Sequence, residues 1–525
     1  MCPEAETESQ AKIDPAVELF KFRREMGTIT RQSGVFFAGT MFTAAASYLF
    51  KFFVARWLGA ELLGVYALGM TVVGFLGVFA AVGLPSAAVR FVAVYNSNGK
   101  VDLLRGFLGR SILFVLLVSS LLAGIAVLGS HWIAGPLYHT PALVRYMPWF
   151  GLMIVTAGLG SFLGQVLAGF KDVTRRTMIT NFISSPLMMV LAILLLAAGV
   201  GLRGYIAAQV LSSAVALFLL AAVAWRLTPA AARSPLTNLP RLEPEVIHFS
   251  AVVFGMGILE FFLGQTDKIL LGHFLDARQV GIYAIAAALV TFVPIALQTV
   301  NQIFSPVIAD LHARGERVLI GRLYQTLTKW ILGFTIPLAL VMILYAPVFM
   351  RLFGRDFEPG WPVLVIGTFG QLVNCGVGST GYLLLMSGNQ RRLLKIQVAM
   401  AAATILFNLT LIPLAGLIGA ALVGTVVNGV TNLWSLIEVR RALGLSPYNR
   451  GFLALLLPSA ITAALLVALR YSGEGRLPGV ALLLAALSIA YAVFAGVALL
   501  FGLDADDRLI VKAVWARVQA TVGRV

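Results

Sequence analysis

The 525 residues are 59% hydrophobic and only 12% charged, with a mean hydropathy of +0.91. A water-soluble domain sits near half apolar and about a quarter charged, so this balance excludes one and points to an all-α chain embedded in a bilayer. The net charge of +16 lies in short gaps between apolar runs, which speaks for membrane topology and against nucleic acid as a partner.

Residues 1–30 are too polar for a signal peptide and are expected to form a cytoplasmic tail. A spanning helix takes about 20 mostly apolar residues. By that measure six spans fall at 33–58, 62–84, 104–129, 147–170, 178–199 and 205–225. A Pro- and Arg-rich linker at 227–246 precedes six more, at 247–271, 280–304, 328–350, 363–386, 396–414 and 418–439. Two extra spans, 452–469 and 480–501, lie within 450–502, and the amphipathic stretch 503–525 reads as an interfacial helix at the cytoplasmic face. With a cytoplasmic N-terminus, the inner segments hold 29 of the 39 Lys and Arg residues, at least three each, and no outer segment holds more than two. Fourteen spans with both termini inside satisfy the positive-inside rule.

The chain repeats itself. Shifted by 217 residues, LGAELLGVYA at 58–67 falls on LDARQVGIYA at 275–284, pairing Leu58 with Leu275, Ala60 with Ala277, Gly64 with Gly281 and Tyr66 with Tyr283. At a shift of 215, G-L-x-G at 201–204 recurs at 416–419. Two anchors at nearly one shift divide the chain into six-helix lobes, 31–226 and 247–440. An even number of helices inserts both copies the same way up, with a central cavity between them.

Few residues are placed for chemistry. Glu260 lies 13 residues into the seventh span, about 20 Å deep, and is the one formal charge clearly inside the hydrocarbon core. Asp267 is seven residues further on the same face, with Gly264 between. A cavity-facing carboxylate here would bind a coupling ion or substrate; the alternative is a hydrogen-bonded tie to a neighbouring helix. Lys51 and Lys268 share one repeat position near the outer interface, where they either attract a diphosphate or snorkel. Arg56, Arg90 and Arg110 stand at helix ends, as topology determinants and then phosphate guides. Gln371, Asn374, Asn408 and Asn428 fall at mid-depth in spans 10–12, against Thr43 and Ser47 in the first lobe, so the second lobe is favoured for ion coupling or sugar contact. Pro186, Pro294, Pro337 and Pro458 mark points where spans can bend. The five His are scattered, and Cys2 and Cys375 form neither a disulfide framework nor a metal cluster, so no catalytic or metal residues are assigned.

Three stretches, RWLGAELLGVYALG at 56–69, TDKILLGHFLDARQVGIYAIAAAL at 266–289 and PLAGLIGAALVG at 413–424, resemble the polysaccharide transporter family of the multidrug/oligosaccharidyl-lipid/polysaccharide (MOP) exporter superfamily. The resemblance implies an alternating-access flippase rather than an enzyme. Its substrate would be an oligosaccharide linked to a polyprenyl diphosphate, typically undecaprenyl diphosphate, and its site the cytoplasmic membrane. It implies no cofactor beyond a coupling H+ or Na+, and as partners membrane lipid and other polysaccharide-assembly proteins. A multidrug or small-cation antiporter of the same fold stays open, as does, more remotely, a polyprenyl-linked glycosyltransferase or ligase.

Overall fold

The structure is a computed structural model that describes the backbone of residues 15–233, 239–473 and 478–500; side chains are described from residue 46, except at 48, 232, 303 and 450. The expected interfacial helix at 503–525, the first fourteen residues with Cys2, and the side chain of Thr43 lie outside the described residues.

Helices make up nearly all of the described chain, with no strand among the described residues. Pro15–Ala81 is helical except at Gly59, whose φ of 73° divides it into α1 (15–58) and α2 (60–81). Val82 and Gly83, both at positive φ, break the rod again before α3 (Leu84–Ser97). Then come α4 (Val101–Leu128), α5 (Met147–Gly169), α6 (Val173–Ala197) and α7 (Leu202–Leu227). Beyond the linker lie α8 (Pro244–Phe274), α9 (Ala277–Val290), α10 (Ile295–Ala313), α11 (Arg317–Leu344), α12 (Ala346–Phe353), α13 (Trp361–Val377) and α14 (Thr380–Met386). Gln390–Leu443 is broken at Gly416 into α15 (390–415) and α16 (417–443), and α17 (Leu456–Gly473) and α18 (Gly479–Leu500) close the described chain. Eleven helices are long and apolar enough to cross a bilayer, or twelve when α9 and α10, bent by 52°, count as one span. Two of the eleven, Leu49–Ser97 and Gln390–Leu443, contain the Gly59 and Gly416 breaks at which the sequence separates two spans.

Each bend has a local cause. The α9–α10 bend holds Pro294, which caps α10 without supplying an N–H. Within α6, Met178–Ser184 winds as a π-helix and Pro186 restarts the α-helical turn that follows. Gly201 and Gly416, the matched glycines of the second repeat anchor, adopt nearly one backbone conformation, φ 62° and ψ −144° against φ 55° and ψ −131°. Only glycine takes this conformation freely, so the repeated G-L-x-G is a repeated turn.

The helices group into two compact units. One joins residues up to Lys51 with Ala80–Ser120 and Val155–Val253; the other joins Phe52–Phe79, Leu121–Ile154 and the chain from Phe254. The core of the first is aromatic: Phe91, Tyr95, Phe107 and Phe162 are buried in sequence of contact, and Phe249 packs edge-on against Phe91. The linker is pinned inside this unit. Tyr95 donates to Glu243 (2.5 Å), Arg90 pairs with Glu245 (2.6 Å), and Arg110 donates to the Leu239 carbonyl (2.7 Å).

In the second unit α17 and α18 pack on α11. Tyr345 donates to the Leu466 carbonyl, Arg470 to that of Leu344 and Tyr491 to that of Phe334, around a core of Val341, Leu466, Leu482 and Ala486. The same unit holds a close helix crossing. A Cβ placed on Gly64 of α2 would sit 1.6 Å from the Ala277 carbonyl oxygen of α9, and one on Gly281 would sit 2.0 Å from that of Ala60. Ala60-x-x-x-Gly64 therefore crosses its own repeat partner, Ala277-x-x-x-Gly281, at backbone distance, the approach that small residues four apart permit.

Candidate functional site

Glu260 stands midway along the 31-residue α8, on a face left exposed among the described residues. Gly255, Met256, Glu260 and Gly264 are all exposed, and a Cβ added at Gly255 or Gly264 would meet nothing within 4 Å. Among the described residues no hydrogen bond or ion pair reaches the Glu260 carboxylate. An open face on a bilayer helix meets either lipid or water, and composition decides which. The exposed positions through the middle of α4 are mostly large and apolar, Leu113, Phe114, Leu116, Leu117, Leu121 and Ile125 beside Ser120 and Gly124, as hydrocarbon contact requires. The carboxylate, not the glycines, departs from that pattern, since Gly124 is exposed on α4 as well. A charge at a helix centre costs about 2.5–3.5 kcal/mol in lipid, which sets Glu260 apart from its apolar neighbours Val252 and Met256.

Beside this face lies an aromatic cluster. Phe75 and Phe79 of α2 pack at 5.0 Å, with Phe261 5.4 Å from Phe75 and Phe254 5.5 Å from Phe79; Phe262 adjoins Phe75 and Phe261.

Asp267 turns away from the open face. Its carboxylate accepts from the Lys268 backbone N–H (2.8 Å) and from the Tyr283 hydroxyl of α9 (2.7 Å), so it ties α8 to α9. Tyr283 in turn lines a cavity of about 200 Å³ between α9, α13 and α16. Thr291, at the α9 bend, Gln371, Thr425 and Asn428 line the same cavity, whose walls approach closely because Gly367 and Gly370 lack side chains. Gln371 accepts from Asn374 (2.9 Å), Asn428 donates to the Gly370 carbonyl (3.3 Å), and Asn432 donates to Asn428 (2.9 Å). The space holds several waters and has the polar partners to order them. Three of the four mid-depth amides expected from the sequence thus converge. The fourth, Asn408, is buried on α15 with its Oδ1 unpaired. Tyr283, Thr425 and Asn432 join the group unforeseen; helical period alone does not say which helices meet.

The basic candidates separate into different environments. Lys51 is exposed, while Lys268 is half-buried and donates to Gln265 (2.9 Å). Arg56 stacks on Phe52 and donates to the Leu352 carbonyl (2.8 Å), beside an open groove lined by Phe52, Phe53 and Trp57. Arg90 lies over Phe91 and Phe249 while holding Glu245. Of the scattered histidines, His139 and His273 come together, with ring centroids 5.7 Å apart, and His273 Nδ1 lies 2.8 Å from the Leu137 carbonyl.

Residues 53–360 match the profile of a family described as polysaccharide biosynthesis protein. The chain belongs to this family. The chain is also similar, at 23% identity, to an uncharacterized membrane protein, MJ1068, of Methanocaldococcus jannaschii, over 74% of the present chain and 79% of the relative. Among solved structures it resembles the lipid II flippase MurJ in an inward closed conformation. The TM-score there is 0.68 at 15% identity, covering 89% of this chain and 98% of that one. A multidrug resistance MATE family transporter of the MOP superfamily, inward-facing, matches with a TM-score of 0.55 at 18% identity, over 75% and 94% of the two chains. The chain thus has the all-α membrane fold that these two structures share.

Proposed function

We propose that this protein is an alternating-access flippase that carries a lipid-linked oligosaccharide across the cytoplasmic membrane for cell-surface polysaccharide synthesis. On this reading both termini are cytoplasmic, the membrane supplies the lipid environment, and other polysaccharide-assembly proteins are partners. Transport is coupled to H+ or Na+ through Glu260. The observation that carries the proposal is the unpaired Glu260 carboxylate, midway along α8 on a glycine-flanked open face. A carboxylate so placed binds a cation in one conformation and releases it in another, which is what an exchanger requires. Family membership over residues 53–360 supports a polysaccharide substrate.

A second reading, a multidrug or small-cation antiporter, draws on the phenyl rings of Phe75, Phe79, Phe254, Phe261 and Phe262 near the same carboxylate. Aromatic faces beside an acid suit an organic cation. Reconstitution separates the two. Proteoliposomes containing the protein are expected to move a fluorescent undecaprenyl-diphosphate sugar faster than empty vesicles. Export of a cationic dye without movement of the lipid-linked sugar overturns the flippase reading.

A further inference from the structure

The turn between α5 and α6 carries Lys171, and the first turn of α6 carries Arg175 and Arg176, three basic residues that charge counting treats alike. The fold distinguishes the two arginines. Arg175 is exposed and pairs at 3.2 Å with Asp172, the residue that caps α6. Arg176 is half-buried; a Cβ on Gly164 of α5 would lie 3.5 Å from its Nε, and its Nη1 donates to Gln165 Oε1 at 2.9 Å. Among the described residues no carboxylate pairs with it. One turn on, the π-helical segment presents Thr180 and Asn181. The Thr180 hydroxyl lies 2.8 Å from Asn181 Oδ1, and among the described residues Asn181 Nδ2 and Gln165 Nε2 have no hydrogen-bond partner.

The α5 surface leading away from Gln165 carries Gly160 and the exposed Ala157 and Ser161, whereas the exposed positions along the middle of α7 in the same unit include the large Leu211, Val215 and Phe218 beside Ala214 and Ala221. Lipid meets the second kind of surface. Arg176 therefore sits beside a strip of small residues, with one of its five N–H donors used and no counter-charge among the described residues. Withdrawing a guanidinium from water without an anion is costly, and its planar fork matches phosphate oxygens two at a time. The two amide N–H2 groups add neutral donors.

We infer that Arg176, held by the positioning residue Gln165 and flanked by Asn181, docks the phosphate or diphosphate of the lipid carrier. The inference rests on the flippase reading and deepens it. Its test measures binding of undecaprenyl diphosphate, phosphatidylglycerol and inorganic diphosphate to the full chain in nanodiscs, beside the transport assay. Arg176→Gln is expected to weaken undecaprenyl diphosphate binding about tenfold to a hundredfold, and Arg175→Gln to leave it unchanged. Gln165→Glu gives Arg176 a carboxylate partner; it is expected to lose binding while thermal stability holds or rises, an outcome that a merely structural contact would not produce. Inorganic diphosphate is expected to compete, and phosphatidylglycerol to be indifferent to Arg176→Gln. Unchanged affinity in both Arg176→Gln and Gln165→Glu overturns the site. An equal loss of phosphatidylglycerol binding overturns it in favour of a general anionic-lipid contact. If wild type flips the lipid-linked sugar while these variants bind normally, the site alone fails; if wild type moves no lipid-linked sugar, the flippase reading fails.

Discussion

The crossing of α2 and α9 gives a prediction whose size follows from distances. Adding one methyl group at Gly64 places carbon 1.6 Å from the Ala277 oxygen, and at Gly281 2.0 Å from the Ala60 oxygen. Ordinary contact needs more than about 3 Å, so the two backbones must part by over about 1 Å, and both walls are main chain that cannot rotate aside. Overpacking of this kind costs about 1–3 kcal/mol. Charged against the crossed state alone, it multiplies the population of states with the helices apart by about 5–150-fold. Val65, buried one residue beyond Gly64, reports the separation. In a background without Cys2 and Cys375, Val65→Cys should react slowly with a membrane-impermeant maleimide. Adding Gly64→Ala or Gly281→Ala should raise the labelling rate by that factor, and comparably for both, because the two glycines occupy matching places. Unchanged labelling in both variants, with the protein folded, refutes the idea that this crossing holds the helix ends together.

Other outcomes follow from the second unit. Glu260→Gln should leave expression and thermal stability intact, since the carboxylate has no partner among the described residues, yet abolish the ion dependence of transport in proteoliposomes. Tyr283→Phe removes the hydroxyl that Asp267 accepts from and should lower stability by about 1–3 kcal/mol, read as a fall in melting temperature. Gly424→Val projects into the cavity beside Thr425 and Asn428, where an added Cβ meets nothing within 4 Å; it should slow transport with stability nearly unchanged, as a substrate titration beside a melting curve would reveal.

How far such features can be read from sequence depends on whether they are local. Apolar runs and basic gaps locate the helices, because bilayer thickness acts on consecutive residues. Glu260 is legible for the same reason: a charge amid twenty apolar neighbours is conspicuous wherever the chain folds. Pro294 marks the α9–α10 bend, and Gly83 with Pro85 marks the break before α3, but the π-helix at Met178–Ser184 carries no comparable signal within it. Partnerships are harder still. Asp267 and Glu260 share a helix with a seven-residue spacing, yet one is bonded to Tyr283 and the other faces open space, a difference set by where α9 lies. Arg175 and Arg176 are neighbours of one chemical type, and only the position of Gln165 across the turn tells them apart. The repeat anchors were legible as matches; their cause, a shared turn at Gly201 and Gly416 and a shared crossing at Gly64 and Gly281, belongs to the backbone.

That crossing also bears on ancestry. Gly64 meets Ala277 while Gly281 meets Ala60, so each partner offers the other the same patch. This is the isologous contact by which two copies of one chain associate about a two-fold axis. A half-length ancestor could assemble through it with no second gene, and any change at its glycine would have struck both faces at once. Fusion ended that constraint. Each face then became free to vary alone, and a carboxylate such as Glu260 could be acquired by one half without being imposed on the other.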